Sequence, residues 1–392
     1  MSRENVIISL DGHTHCFLDL KPWMPRHTHV AFDAAMEVGR FVAMTGTKMF
    51  SDMCAASGEF DWQAANDLHN MDLQRYHEVF TGEERIARID QDGVAAEMFI
   101  DGFGAITTDP LLQHEITQGF IRWFKDYTSP APYRFTAAVA VSLAAGMDVV
   151  LREIEMAWNH GIRAVHLAPS PKLCDPRLPE LNNTLYEPMW AALDDRGMAA
   201  IWHPSVGREK PQWQWDSTQP GGEFIQMLDV EYSTHSVLKY MLLSGILVRY
   251  PNLKIGFIES GSAWIPPVLK SLDRFFGIET ANRANTLKMK PSEQWARQGF
   301  AAGPLDARET THLADIGVNN LAFGSDDIHT EGTWPRTRNH LAEITAHLKE
   351  EERWALVAGN AERLFGFDID KLAQTPAAQV AWRNAGTNAL AA

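Results

Sequence analysis

Cysteine is scarce in this sequence, and its spacing is uninformative. Cys16, Cys54 and Cys174 are the 3 cysteines among 392 residues, and no two of them form a CxxC motif. An odd number of widely separated cysteines fits neither a disulfide-stabilised secreted domain nor a thiolate metal site. We therefore expect a protein of the reducing cytoplasm.

Positive charge and long apolar runs are also limited. The chain has 35 Lys and Arg against 50 Asp and Glu, a formal net charge of −15, and no basic run. Nucleic-acid binding needs clustered cations, so we expect no nucleic-acid partner.

Weakly charged stretches such as 135–147 are shorter than the ~18 residues that cross a bilayer. The apolar run at 6–10 is too short for the core of a signal peptide. We expect no membrane partner.

Short apolar runs alternate with longer helical patterns along the chain. The predicted strands are 6–10, 95–100, 135–141, 164–167, 198–202, 254–258, 299–302 and 320–323. The predicted helices are 112–126, 147–160, 187–196, 237–250, 264–276, 306–316 and 337–349. Repeated βα units of this kind predict an α/β fold, a (β/α)8 TIM barrel.

One connection is much longer than the others. More than 80 residues separate the first two predicted strands, which is too many for a simple βα connection. We place an insertion at 16–85, rich in Met and aromatic residues, and interpret it as a lid or a homo-oligomer contact. The barrel with its insertion forms a single predicted domain, 1–371, followed by a C-terminal tail, 372–392, rich in Ala, Gln and Asn.

Side chains able to bind a metal ion follow several of the predicted strands. The first strand runs into Asp11-Gly-His13-Thr-His15, whose odd-numbered residues point to one face because strand side chains alternate. His203, Glu259 and Asp326 follow the fifth, sixth and eighth strands. In TIM barrels the active site lies at the carboxyl ends of the strands, so these residues predict one metal site there.

These motifs, in this order, resemble the amidohydrolase-related TIM barrels, a family that includes metal-dependent decarboxylases and hydrolases. The resemblance extends from Asp11 to about Phe367 and implies that His13, His15, His203 and Asp326 bind metal. The further matching segments are 90–97, 203–205, 249–254, 257–266, 287–292, 324–326, 331–335 and 359–366.

The sequence departs from that family at two positions. Glu259 stands where many relatives have histidine, and Asp327 adds a carboxylate beside Asp326. Glu259 can bridge two ions, and Glu97 and His235 are further candidate ligands for a second one. A buried, paired Glu97 and a surface His235 are the structural alternatives. Histidine and carboxylate ligands suit iron, so we expect two Fe ions, with Mn or Zn as alternatives.

Three reactions are compatible with such a site. Two irons bridged by Glu259 could activate O2, as a small branch of the family is understood to do, often on CoA-linked acyl groups. Alternatively, Asp326 could act as a general base in hydrolysis of an ester, amide or thioester, or move a proton in non-oxidative decarboxylation. We favour a diiron monooxygenase that hydroxylates an apolar small molecule, for example a CoA-linked acyl group, with Asp326, Glu259 and His203 as its catalytic residues.

Aromatic residues near the predicted site favour this monooxygenase. Trp213, Trp215, Trp264 and Trp334 could line the dry pocket that an oxidant requires, and Arg336 could bind an anionic group. Core packing and solvated surface charge are the alternative roles of these residues. A catalytically silent barrel is the non-enzymatic alternative. A silent barrel would lack some of the metal-binding residues, whereas this sequence has a histidine or carboxylate at every expected ligand position.

Overall fold

Eight parallel strands form the centre of the fold. The computed structural model describes residues 3–13, 18–36, 81–102, 107–204, 220–278, 287–329 and 332–379. The strands pair in chain order from β1 to β8. Their bounds are Ile8–His13, Ala96–Ile100, Phe135–Ala140, Ala164–His166, Ala199–Trp202, Lys254–Ile258, Gly299–Gly303 and Leu321–Phe323. The predicted TIM barrel is confirmed.

The barrel closes between β1 and the residues that follow β8. Gly12 and Asp327 form a parallel bridge. The backbone N–H of Asp326 donates to the Asp11 carbonyl at 2.8 Å, and the N–H of His13 donates to the Asp327 carbonyl at 2.6 Å. The closure therefore lies among residues predicted to bind metal.

Helices connect the strands and pack around them. The α-helices are Gly82–Asp92, Pro110–Tyr127, Met147–Asn159, Glu187–Arg196, Gly222–Leu243, Ile246–Arg249, Ile265–Phe276, Pro291–Gln298, Ala307–Thr311, Leu313–Ile316, Thr337–Ile344, Glu350–Trp354, Asn360–Phe365, Ile369–Leu372 and Pro376–Gln379. Residues 29–36 are also helical, and Ala355–Gly359 form a π-helical turn. The 3₁₀ helices are Arg3–Asn5, Lys21–Trp23, Arg26–Thr28, Pro132–Arg134, Leu143–Ala145, Pro171–Leu173, Thr184–Tyr186 and Val318–Asn320. No helix among these described residues is both long enough and apolar enough to span a membrane.

The Gly82–Asp92 helix has well-defined ends. The Thr81 hydroxyl accepts from the Glu84 backbone N–H, and the Glu84 carboxylate accepts from the Thr81 N–H, which forms a capping box. Gly93, with φ of 85°, ends the helix in the left-handed conformation that glycine adopts readily. These signals fix the helix beside β2, so that its side chains reach the barrel mouth.

One continuous apolar core extends through the described residues. The strands are almost entirely buried, as expected for a parallel sheet covered on both faces. Met24 and Phe32, in the described part of the predicted insertion, belong to this core; residues 37–80 of the insertion lie outside the described residues. Leu372 and Ala377 are also buried, so the first part of the predicted tail packs with the barrel.

A partly buried ion pair joins two helices next to the carboxyl end of β3. His114 Nδ1 lies 2.7 Å from Glu153 Oε1, and Glu153 Oε2 accepts from the Ser142 backbone N–H at 2.8 Å. The Glu153 side chain is fully buried. The hydrogen bond to Glu153 raises the pKa of His114 above its usual value, so the folded state favours protonated His114.

We expect this pair to stabilise the fold most at acidic pH. A raised folded-state pKa contributes stability below the unfolded pKa of ~6.5 and loses it as pH rises through the folded value. His114→Gln should therefore lower the free energy of unfolding by about 1 kcal/mol at pH 5.5, and by less at pH 8. Urea unfolding at both pH values measures the difference. His312→Gln is the control, because exposed His312 lies 3.7 Å from Asp315. An equal loss at both pH values for His114→Gln would contradict the expectation.

Candidate metal centre

Imidazoles and carboxylates from four strands converge at the carboxyl end of the barrel. They form two overlapping groups, in each of which one ligand atom per residue lies within 4.8 Å of the others. One group is Asp11, His13, His203 and Glu259, and the other is His13, Glu259, Asp326 and His329. The structure thus brings together four predicted ligands and adds Asp11 and His329.

The ligand atoms of the two groups lie close to one another. His203 Nε2 lies 2.6 Å from Glu259 Oε2. On the other side of the cluster, Asp326 Oδ1 lies 3.1 Å from His13 Nε2 and 2.7 Å from His329 Nδ1. The rings of His13 and His329 stack, with their centroids 4.1 Å apart. Donor atoms at this spacing match the edges of a metal coordination sphere.

The buried polar atoms of this cluster fit a cation. Asp11, His13, His203 and Asp326 are each less than 9% exposed. No hydrogen bond of acceptable geometry reaches either carboxylate oxygen of Asp11 or Asp326, nor Nε2 of His13 or His203, within the part of the chain that is described. Buried polar atoms are nearly always paired in proteins, so a cluster of such atoms around one space fits a bound cation.

Backbone strain is also concentrated in the cluster. Glu259 and Asp326 have φ of 52° and 53°, and no other described non-glycine residue has a positive φ. Such conformations cost of order 1–3 kcal/mol each and persist at functional sites. At Gly324 a Cβ atom would overlap the side chain of Asp11 and the backbone of Gly303, so glycine is required for this close approach.

The two aspartates differ in their electrostatic environment. Burial and the nearby charge of Asp326 raise the pKa of Asp11 well above its usual value. Burial also opposes ionisation of Asp326, but the facing His329 and His13 hold its pKa below the usual value. Without a cation, the cluster therefore favours one neutral and one ionised aspartate. This pattern is typical of neighbouring carboxyl groups that cannot both ionise easily.

Another histidine, at the end of β4, lies beside the cluster. Burial, followed by the nearby His203, lowers the pKa of His166 to about 4, so His166 is neutral near pH 7. Its Nδ1 lies 3.1 Å from the Asp101 carbonyl, to which it is placed to donate. The centroids of His166 and His203 are 6.0 Å apart. His166 thus packs against a candidate ligand without belonging to either group.

Two carboxylates predicted to bind a second ion are paired with arginines instead. Glu97 accepts from Arg85 Nε at 2.9 Å and Nη2 at 2.6 Å. Asp327 Oδ2 lies 2.9 Å from Arg85 Nη1 and accepts from Arg88 Nε at 2.8 Å. In the structure Glu97 is therefore a buried, paired carboxylate, the alternative to a metal ligand. The Asp327 carboxylate faces the arginines rather than the cluster.

His235 and Trp264 belong to neither metal group. Both contact the backbone of Ser260, the residue after Glu259. His235 Nε2 is 3.1 Å from the Ser260 carbonyl, and Trp264 Nε1 donates to the same carbonyl at 2.9 Å. The two rings stack with their centroids 3.9 Å apart, and burial lowers the pKa of His235. These contacts hold the residue that follows Glu259.

The remaining predicted substrate residues do not form a common wall among the described residues. The Trp334 ring lies 3.6 Å from the Arg88 guanidinium, whereas Arg336 is exposed. His15, Trp213 and Trp215 lie outside the described residues.

Sequence reasoning missed several residues of this region. Asp11 shares the alternating strand pattern of His13, which is a signal for its role. His329 follows Asp326 by three residues, a spacing that a tight turn brings together. Arg85 and Arg88 carried no such signal, because their shared partner Asp327 is more than 230 positions away in the chain.

Comparisons with known proteins agree with the barrel. A protein-family model described as amidohydrolase matches residues 11–367. No curated protein matches the sequence significantly.

Solved structures with the same fold include several enzymes. The 5-carboxyvanillate decarboxylase LigW from Sphingomonas paucimobilis is 19% identical, with a TM-score of 0.67 over 93% of this chain and 99% of that chain. A dihydroxybenzoic acid decarboxylase from Polaromonas sp. JS666, with bound manganese and 2-nitroresorcinol, is 16% identical, with a TM-score of 0.62 over 92% and 97%. An amidohydrolase from Mycobacterium avium subsp. paratuberculosis K-10 is 23% identical, with a TM-score of 0.59 over 76% of each chain. At these identities the similarity establishes the fold alone.

Proposed function

This chain belongs to the amidohydrolase family, and we propose that it is a metal-dependent, non-oxidative decarboxylase of an aromatic carboxylic acid. The observation that carries the proposal is the convergence of histidines and carboxylates within 4.8 Å at the barrel mouth. The named activities of similar structures, 5-carboxyvanillate and dihydroxybenzoate decarboxylases, support this choice among the reactions of the family.

The proposed ligands are the four most buried members of the cluster: Asp11, His13, His203 and Asp326. His15 stays a proposed ligand on the sequence resemblance. A single divalent ion is proposed, because Glu97 and Asp327 are paired with arginines and leave the described residues with one convergent cluster. The nitrogen and oxygen donors suit Mn²⁺, Fe²⁺ or Zn²⁺. Manganese in the Polaromonas enzyme favours Mn²⁺ as the first ion to test.

The proposed chemistry is a replacement of the carboxylate by a proton. A divalent ion held by these residues would supply Lewis-acid chemistry to the substrate carboxylate. The side chains of Glu259 and His329 are 23% and 32% exposed and face the open side. His329, whose Nδ1 lies 2.7 Å from Asp326 Oδ1, is placed to deliver a proton to the ring carbon while its bond to the departing CO2 breaks.

Hydrolysis is the second candidate function. The Glu259 side chain is 23% exposed and its Oε2 lies 2.6 Å from the proposed ligand His203, so Glu259 is placed to take a proton from an attacking water molecule. Such a reaction would use the same cation and the same mouth of the barrel. The substrate would then be an ester, amide or thioester.

The diiron monooxygenase that the sequence favoured has no support among the comparisons. The named activities there are decarboxylases and amidohydrolases, and none of them indicates O2, acyl-CoA or iron. The predicted homo-oligomer likewise has no support. The decarboxylase alternative fits the comparisons better than the monooxygenase does.

Metal analysis and an anaerobic CO2 assay test the proposal. We expect about one metal ion per chain and release of CO2 from hydroxybenzoic acids without O2. Chelation should abolish the activity and Mn²⁺ should restore it. Cleavage of esters or amides without CO2 release would favour hydrolysis, whereas two irons and a requirement for O2 would support the monooxygenase.

A further inference from the structure

Two arginines of the Gly82–Asp92 helix hold the turn that follows β8. Arg85 and Arg88 are one helical turn apart, so they project from the same helix face. Arg85 Nη1 lies 2.9 Å from Asp327 Oδ2, and Arg88 Nε donates to the same oxygen at 2.8 Å. We call Arg85, Arg88 and Asp327 the arginine clasp.

The clasp is buried and balanced in charge. Arg85 is 1% exposed, Arg88 8% and Asp327 3%. Glu97, which is fully buried, supplies the second carboxylate through its two hydrogen bonds from Arg85. Two cations and two anions are thus paired away from water. Removing or displacing one of them would leave a buried charge without its partner, which is strongly destabilising.

The anchored residue is joined directly to the metal centre. Asp327 follows Asp326, whose φ of 53° directs its carboxylate into the cluster. The Asp327 carbonyl accepts from the His13 backbone N–H at 2.6 Å and from Arg85 Nη2 at 3.3 Å. The Asp326 N–H in turn donates to the Asp11 carbonyl at 2.8 Å. Displacement of Asp327 would therefore move Asp326 and His13 together.

We infer that Arg85 and Arg88 are positioning residues for the metal centre: by fixing Asp327, they hold Asp326 and His13 where both can bind one ion. The inference rests on the proposed function, because it requires a cation in the cluster. Residues that orient metal ligands typically change metal affinity or activity by about 10- to 100-fold when replaced.

A second buried arginine pair provides a matched control on the same helix. Arg134 Nη2 donates to Asp90 Oδ1 at 2.7 Å, and its Nε donates to the Ala95 carbonyl at 2.7 Å. Asp90 lies near the end of the Gly82–Asp92 helix, and Ala95 directly precedes β2. This pair is therefore at the opposite end of the barrel from the cluster. It stabilises the same elements without contacting the turn after β8.

The test compares Arg88→Lys with Arg134→Lys. Lysine keeps the positive charge but lacks the planar guanidinium that can donate two parallel hydrogen bonds to a carboxylate. We expect Arg88→Lys to weaken Mn²⁺ binding about 10- to 100-fold by isothermal titration calorimetry, and to reduce the rise in melting temperature caused by Mn²⁺. The value of kcat should fall by a similar factor with KM nearly unchanged. Arg134→Lys should lower the melting temperature but leave the Mn²⁺ affinity within about twofold.

The other outcomes separate the inference from the proposed function. If the unmodified protein bound no Mn²⁺, Fe²⁺ or Zn²⁺, the proposed function and the inference would both fail. If it bound Mn²⁺ and Arg88→Lys bound it equally well, the clasp would be purely structural. Arg85→Lys provides the same comparison if Arg88→Lys does not fold. Failure of both variants to fold would make the clasp a stability element and overturn the inference.

Discussion

Asp326→Asn is expected to lower turnover about a thousandfold and to remove most of the bound metal. Asp326 is fully buried and lies between His13 and His329, at 3.1 and 2.7 Å. Asparagine has nearly the same shape as aspartate but no charge, so the substitution weakens cation binding and leaves the packing nearly unchanged. A loss of about 4 kcal/mol of charge stabilisation corresponds to roughly a thousandfold in rate. Steady-state assays and metal analysis of the purified variant measure both effects.

Asp90→Asn is the matched control for that substitution. Asp90 also pairs with a buried cation, Arg134, but it does so far from the cluster. The control should lose stability while the folded protein keeps its metal content and turnover. Normal metal content and turnover in Asp326→Asn would contradict the assignment of Asp326 to the centre.

The fold could be predicted from sequence because local sequence patterns mark its strands and helices. Lys254–Ile258 and Glu187–Arg196 have the predicted bounds, since each is a short apolar or amphipathic run between turn residues. The predicted helix 237–250 instead begins at Gly222 and breaks at Gly245, which has φ of 75°. Glycine is a poor helix former, so the Gly221-Gly222 pair gives no local signal for a helix start. Further along the same helix Val237, Leu238 and Met241 are fully buried, and such tertiary packing can override a local preference.

The site could be predicted only where it follows the strand pattern. His13, His203, Glu259 and Asp326 each end or follow a predicted strand, and a parallel barrel gathers such positions at one rim. The arginine clasp has no comparable signal. Arg85 meets Glu97 across 12 positions, but its contact with Asp327 spans 242 positions and depends on barrel closure. Sequence alone therefore assigned the Glu97 and Asp327 carboxylates to a metal, because their cationic partners were not apparent.

Glu97→Gln should distinguish a structural carboxylate from a metal ligand. Burial raises the pKa of Glu97 above its usual value, although Arg85 opposes the shift, and a Cβ at Gly12 would overlap the carboxylate. The substitution leaves Arg85 with less buried negative charge, so we expect a loss of about 3–5 kcal/mol in the free energy of unfolding. Metal content should stay at about one ion per chain. Urea unfolding and metal analysis of the same preparation measure the two quantities.

The matched control for Glu97→Gln is Glu187→Gln. Glu187 pairs with Arg249 at the surface, where the two side chains are 28% and 42% exposed, so its loss should cost no more than about 1 kcal/mol. A double variant, Glu97→Gln with Arg85→Met, should recover part of the lost stability, because the unmatched cation is removed as well. If Glu97→Gln instead lost metal while keeping its stability, Glu97 would be a ligand and its pairing with Arg85 secondary.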